Sequence, residues 1–448
     1  AITSDVAAVS VPQPSVLTRG RGQFWTDSDL RIVLDLDSPD ANGRYPIVVQ
    51  DANGNIDGVK NPALQNFMTA YPGRIFYSDV PNSSANAAPP ATCNPAPAGS
   101  HCHAASYTPT FGTNGEAATV YGCPGSGAPS NLDLWPTAGC PNRVGLVNLT
   151  TGGKTSRRGG FYNNREHAWM YMLNVNAHDL LKWNHDNGEP FFSQLDNPQG
   201  GVVLYLSVKG PNTNGVAACI TPPGLPKTCA RYGVRVYGST DLDFPAGMAD
   251  PTGLTVVSDQ AMYVEGDYNT GTGAHPWMPA AFMGDSLNVL SNNWSGNPTA
   301  GGWTGAGGPS NCRNDCQSRW PLNARPGIST TINAAFLAGV DVTTAGNYNG
   351  GLENYPRFHE SWAGTFTYRG SFVSLGAPAH ANGIWCSTGG SCAYGAGGCP
   401  SATANCNIYN PPTRAWDYDT NFQNVANLPP ITPRFVTVQQ IVFTENFR

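Results

Sequence analysis

Residues 253–270, GLTVVSDQAMYVEGDYNT, hold two short apolar bursts, each closed by a small polar turn. Residues 279–294, PAAFMGDSLNVLSNNW, repeat the arrangement. Further bursts stand at 332–337 and 371–375, and Gly, Asp, Asn or Ser follows nearly every one. A sandwich is usually built from longer strands joined by hairpin signals such as Asn-Gly. Strands of four to six residues, with turns that bend the chain rather than reverse it, fit stacked rungs instead. The pattern predicts a mainly β chain: a β-solenoid, β-helix-like, with long disulfide-pinned loops and a few short helices. Loops of variable length interrupt any fixed period, so an irregular β-sandwich or barrel stays open.

Composition points the same way. Only 12% of residues are charged, about half the usual quarter, while 52 Gly and 38 Pro supply turns. The 11 Trp, 18 Tyr and 17 Phe supply bulk that disordered chains lack. A net charge of -6 gives no general attraction to nucleic acid or anionic lipid. No apolar run reaches the length of a membrane span. The opening, AITSDVAAVSVPQPSVL, has neither a basic region nor a long apolar core, so a removed leader or an excised anchor is expected.

The 12 cysteines fall in neighbouring couples: Cys93 with Cys102, Cys123 with Cys140, Cys219 with Cys229, Cys312 with Cys316, Cys386 with Cys392, and Cys399 with Cys406. Most couples bracket Gly, Pro, Ser and Asn, and loops of that composition gain most from a local crosslink. A zinc site is the rival, but CxxC is missing, and the only close histidines are those of HCH at 101–103. Six local disulfides imply an oxidising place: periplasm, cell surface or medium.

Two regions are expected along the chain. Residues 1–160 form an N-terminal β/loop region, in which LRIVLDLD alternates Leu30, Ile32, Leu34 and Leu36 as a half-buried strand. Its stretch from about 82 to 160 reads as long loops. Residues 161–448 form the solenoid ectodomain with C-terminal strands. Within it, HAWMYMLNVNAHDLLKWN predicts a strand through about Val175, then a helix with Asn176 as N-cap and Leu180, Leu181 and Trp183 inward. Such a helix would cover an open solenoid end and shield its edges.

Several segments occur here in a set order: DPTGLTVVSDQAMYVEGDYNT, PAAFMGDSLNVLSNNW, INAAFLAGV, LENYPRFHESWAG, TFTYRGSFVSL and YNPPTRAWDYDTNF. Together they resemble the large ectodomains of PilX-type, pilin-like proteins of bacterial type IV pilus gene clusters, across roughly residues 160 to 448. The resemblance implies a surface or pilus-associated role, with self-association or other pilus subunits as partners. Some pilin relatives with a β-solenoid have been regarded as DNA receptors at the pilus tip.

Residues were then weighed for chemistry. Asp241 with Asp243, and Asp417 with Asp419, are the paired carboxylates a glycan-cleaving enzyme would need, but all four sit in turn-like sequence where Asp bends or caps the backbone. No G-x-S-x-G, HExxH or Gly-rich phosphate loop is present. In DANGNIDG, Asp51, Asn53, Asn55 and Asp57 alternate, so a tight turn would aim their oxygens at one calcium ion, the candidate cofactor. A bare turn explains the same letters. GGKTSRRGGFYNNR gathers Lys154, Arg157, Arg158 and Arg165 beside Phe161 and Tyr162, a mixture suited to single-stranded nucleic acid. Its bland alternative is a loop whose arginines pair locally with acids such as Glu166. The expectation is a non-enzymatic extracellular structural protein, a component of a pilin-like surface fibre. A tip adhesin or DNA receptor and a carbohydrate-active β-helix enzyme are the alternatives.

Overall fold

The computed structural model describes residues 14–38, 45–71, 73–78, 157–158, 161–163, 165–166, 168–193, 200–210, 216–220, 228–242, 252–271, 277–294, 325–340, 354–381 and 409–432. The first elements are a helical turn α1 (Gln23–Thr26), β1 (Leu30–Asp35), β2 (Ile47–Val49), helix α2 (Lys60–Ala70) and β3 (Ile75–Ser78). Next come β4 (Arg157–Arg158), β5 (Phe161–Asn163), β6 (Ala168–Asn176), helix α3 (Ala177–Asp186), β7 (Val202–Lys209), β8 (Val216–Ile220) and β9 (Thr228–Tyr237). Short strands follow: β10 (Leu254–Val257), β11 (Ala261–Glu265), β12 (Ala280–Gly284), β13 (Ser286–Leu290), β14 (Pro326–Gly327), β15 (Thr330–Asn333) and β16 (Ala335–Ala338). The last are β17 (Arg357–Phe358), β18 (Ser361–Trp362), β19 (Thr365–Gly370), β20 (Phe372–Ser374) and β21 (Thr413–Tyr418). The protein is mainly β, with mixed sheets and few helices.

A seven-stranded sheet runs β2-β1-β7-β10-β12-β16-β20, parallel throughout except for β2. A nine-stranded sheet follows the path β17-β13-β11-β9-β6-β3-β4, with β5 beside β6 and β8 beside β9. Two smaller parallel sheets are β14-β18 and β15-β19-β21. Register aligns like with like. Leu30, Leu204, Val256, Phe282, Phe336 and Phe372 form one row of Cα partners. Ile75, Val175, Val236, Val264, Val289 and Phe358 form another, across the core. Val256, Val264, Phe282, Val289 and Phe336 are fully buried in one cluster, each stabilising the fold by about 1.5–3 kcal/mol.

The bursts are short because the chain crosses one face and turns at once. Asp285 alone separates β12 from β13, Ala334 alone separates β15 from β16, and Ser371 alone separates β19 from β20. At the last corner a Cβ on Gly370 would lie 2.0 Å from the Ala334 carbonyl oxygen, so only glycine fits.

β1 corrects the half-buried expectation, since all six of its residues are buried. Its second face lies under α1, where Arg31 Nε donates to the Trp25 carbonyl at 2.6 Å. The outer face of the seven-stranded sheet is covered likewise from β1 to β16, while β20 at the edge is half-buried to exposed. Val33, Val203, Tyr205, Val257, Met283 and Leu337 pack there with Leu17, Trp25 and Phe422, and Leu428 and Ile431 border them. A strand buried on both faces reads as a continuous apolar run, which is what LTVV and AAFM are.

The predicted helix is α3. The Asn176 side chain accepts from the Asp179 amide at 2.9 Å, and Leu180, Leu181 and Trp183 are buried. Its Trp183 ring meets Phe67 of α2 edge-on at 5.5 Å. Helix α2 also closes the free edge of β2: Asn61 Oδ1 accepts from the Val49 amide and Gln65 Nε2 donates to the Ile47 carbonyl, each at 3.0 Å. Side-chain amides thus occupy backbone groups that an edge strand would leave open. Strands from both sides of residue 160 share sheets, β1 with β7 and β3 with β6.

Candidate functional site

Charged groups concentrate on the outer face of the nine-stranded sheet, and strand register explains why. Asn174, Arg235, Tyr263, Asn288 and Arg357 are successive Cα partners, alternating with the apolar row beside them. All five side chains are buried. Arg235 Nη1 lies 3.0 Å from Glu265 Oε2, and its Nε donates to Asn174 Oδ1 at 2.7 Å. Asn174 Nδ2 passes the chain on to Ser78 Oγ at 3.1 Å and to the Met172 carbonyl at 3.0 Å.

Residues 161–166 lie over this row. Asn163 Nδ2 donates to Tyr263 Oη at 2.6 Å. Glu166 accepts from Arg357 Nη1 at 2.7 Å and has Arg231 Nε at 3.7 Å. Arg165 Nε donates to the Phe358 carbonyl at 2.9 Å, its Nη1 donates to Asn354 Oδ1, and its guanidinium sits 4.7 Å over the Tyr409 ring. Burial, with Arg357 nearby, pushes Arg165 down to about 9, so it is charged at neutral pH. His359 Nε2 donates to Asn288 Oδ1 at 2.8 Å. Burial first, then Arg165, Arg357 and Arg325, pushes this imidazole well below its ordinary 6.5, so it is neutral. Glu360 completes the cluster, accepting from the Ser291 amide at 2.6 Å and the Ser291 hydroxyl at 2.7 Å.

A second set of carboxylates marks the corner between the two large sheets. Asp259 accepts from Ser207 Oγ at 2.7 Å and from the Arg19 amide at 3.1 Å. Asp285 accepts from the amides of Ala379, His380 and Ala381. Burial raises both above the usual carboxylate range. These groups hold distant backbone segments together.

The residues expected from sequence are distributed differently. Phe161 is fully buried, edge-on to Tyr263 and Trp294 at 5.2 Å each, so it has no face to offer a base. Arg157 and Arg158 form β4 against Tyr77 and Ser78, Tyr162 pairs with Trp169 in β5, and Lys154 lies outside the described residues. Glu166 pairs with Arg231 and Arg357, neither of them near it in sequence.

In the DANGNIDG turn, Asp51 Oδ1 accepts from the Asn53 and Asn55 amides at 2.9 Å, and these bonds hold its carboxyl below the usual range. Asp57 Oδ1 accepts from Val59 at 2.9 Å and Lys60 at 2.8 Å, at the entry to α2. Each carboxylate caps its own turn. Among the described residues, no group of three or more His, Cys, Asp or Glu converges. Asp419 is a cap too, accepting from the Asn421 amide at 3.0 Å and from Trp277 Nε1, whereas Asp417 is exposed. Asp243 lies outside the described residues, as do all the cysteines except Cys219 and Cys229. Those two are Cα partners across β8 and β9.

Sequence reasoning singled out Arg165, but only as part of an exposed basic run, and missed Arg235, Arg325, Arg357, His359 and Glu360. The one local signal was a basic residue inside an apolar strand pattern, as in YGVRVYG around Arg235. Among the described residues, no helix is long and apolar enough to cross a membrane. Comparison of the chain with protein-family models, with curated proteins and with solved structures found no match.

Proposed function

We propose that the protein is a non-enzymatic, extracellular structural component of a pilus-associated or pilin-like surface fibre, and that its short strands form the rungs of a β-solenoid. The observation that carries this reading is the in-step advance of two parallel ladders. As β10, β12, β16 and β20 add to one sheet, β11, β13 and β17 add to the other, with three residues, 258–260, between β10 and β11 and Asp285 alone between β12 and β13. A stack of this kind is extended along one axis, a shape suited to a load-bearing element. The buried carboxylates and arginines described above are tied to backbone and to each other, as befits framework rather than reacting groups. The resemblance to pilin-like ectodomains and the cysteine couples support a surface location.

Electron microscopy across a concentration series, beside native surface material, tests the reading. Fibres that lengthen with concentration are expected. Isolated particles at every concentration would reject it, as would glycan cleavage lost in Asp241→Asn/Asp243→Asn or Asp417→Asn/Asp419→Asn.

A further inference from the structure

The hairpin of β8 and β9 stands apart from the stacked strands. β9 meets β6 from Arg231 onward and β11 from Gly233 onward, so Thr228–Ala230 have only β8 beside them among the described strands. Among the described strands β8 pairs with β9 alone, and a two-stranded ribbon without a third strand is marginal in water.

Cys219 and Cys229 are Cα partners in this ribbon, one step inside the terminal pair Ile220 and Thr228. Directly opposed residues of an antiparallel pair lie about 4.5–5.5 Å apart at Cα, inside the span a disulfide bridges. We propose that a disulfide between Cys219 and Cys229 staples this ribbon, a modification site set by strand register rather than by nearness in sequence. A slip of one residue would turn the two positions to opposite faces.

The bond forms by exchange with a donor disulfide, either an oxidised thiol–disulfide oxidoreductase or a low-molecular-weight disulfide. One cysteine thiolate attacks the donor, forming a mixed disulfide and releasing one donor sulfur as a thiolate. The second cysteine thiolate then displaces the remaining donor sulfur. The chain loses two protons and two electrons in all, and the donor ends as two thiols.

The test uses the full chain isolated from an oxidising medium, alkylated without reduction and cut with trypsin. Cleavage after Lys209, Lys227 and Arg231 should yield peptide 210–227 joined to the tetrapeptide Thr228–Arg231, separable by reduction. Alkylated Cys219 or Cys229 in the unreduced sample, or a link from either to another cysteine, overturns the proposal. Amide exchange at Thr228–Ala230 reads the staple itself. Cys219→Ser/Cys229→Ser should exchange about a hundredfold faster, the effect of releasing a closed loop of roughly eleven residues. Unchanged exchange would show that the bond holds nothing. Neither readout depends on fibre formation.

Discussion

Over the seven-stranded sheet, outward residues such as Tyr205, Val257 and Met283 meet Leu17, Trp25 and Phe422. Over the nine-stranded sheet, the outward row Asn174, Arg235, Tyr263, Asn288 and Arg357 meets Asn163, Glu166, Glu265 and His359. The inner faces of both sheets contribute to one apolar core, so the difference lies in the outer faces and what covers them. An apolar lid is held by area and tolerates small shifts. An ionic lid is held by directed partners, and losing one leaves another charge buried. The first kind of lid adds stability in increments, while the second mainly selects one arrangement.

The comparison breaks most visibly at the ion pair. Arg357→Met leaves Glu166, whose side chain is 2% exposed, without its 2.7 Å partner. The expected loss is about 3–5 kcal/mol by denaturant titration, and adding Glu166→Gln should restore part of it. A loss under 1 kcal/mol would mean that this covering is held like the other one. Phe422→Ala tests the apolar side and should cost about 1.5–3 kcal/mol, the same at low and high salt. A strong salt dependence there would erase the contrast.

A third expectation concerns pH. His359 is neutral in the fold because burial and Arg165, Arg357 and Arg325 disfavour its cation. The unfolded chain binds a proton below about 6.5, so the stability His359 allows at neutral pH is lost as pH falls through that value. By pH 5.5 the loss is about 1.4 kcal/mol. Asp259 and Asp285 act in the opposite sense, because raised carboxyls favour the fold at lower pH. The wild-type stability curve minus that of His359→Gln isolates the imidazole. A flat difference would mean that the ring is already charged in the fold.

How far these coverings were legible in sequence differs as well. The core rows were readable because Val256, Phe282 and Phe336 each recur within a short apolar burst, and period alone identifies them. Asn176 was readable because its cap acts three residues away, at Asp179. Helix α2 was overlooked, although Leu64, Phe67 and Met68 are spaced for one helical face. Who pairs with whom in the ionic lid was not readable. Arg165 meets Phe358 across 193 positions, and Arg357 meets Glu166 across 191. Nor does a run such as RRGGFY reveal whether its ring points outward; Phe161 points in. Composition reports which residues are present, and only register decides who faces whom.

The single-residue corners have a consequence for how this chain can change over time. Between β12 and β13 stands Asp285 alone, bound to three amides of residues 379–381. An added residue there would reverse the parity of whatever follows and turn Val289 and Leu287 to the wrong side. This corner therefore has no room for an inserted residue.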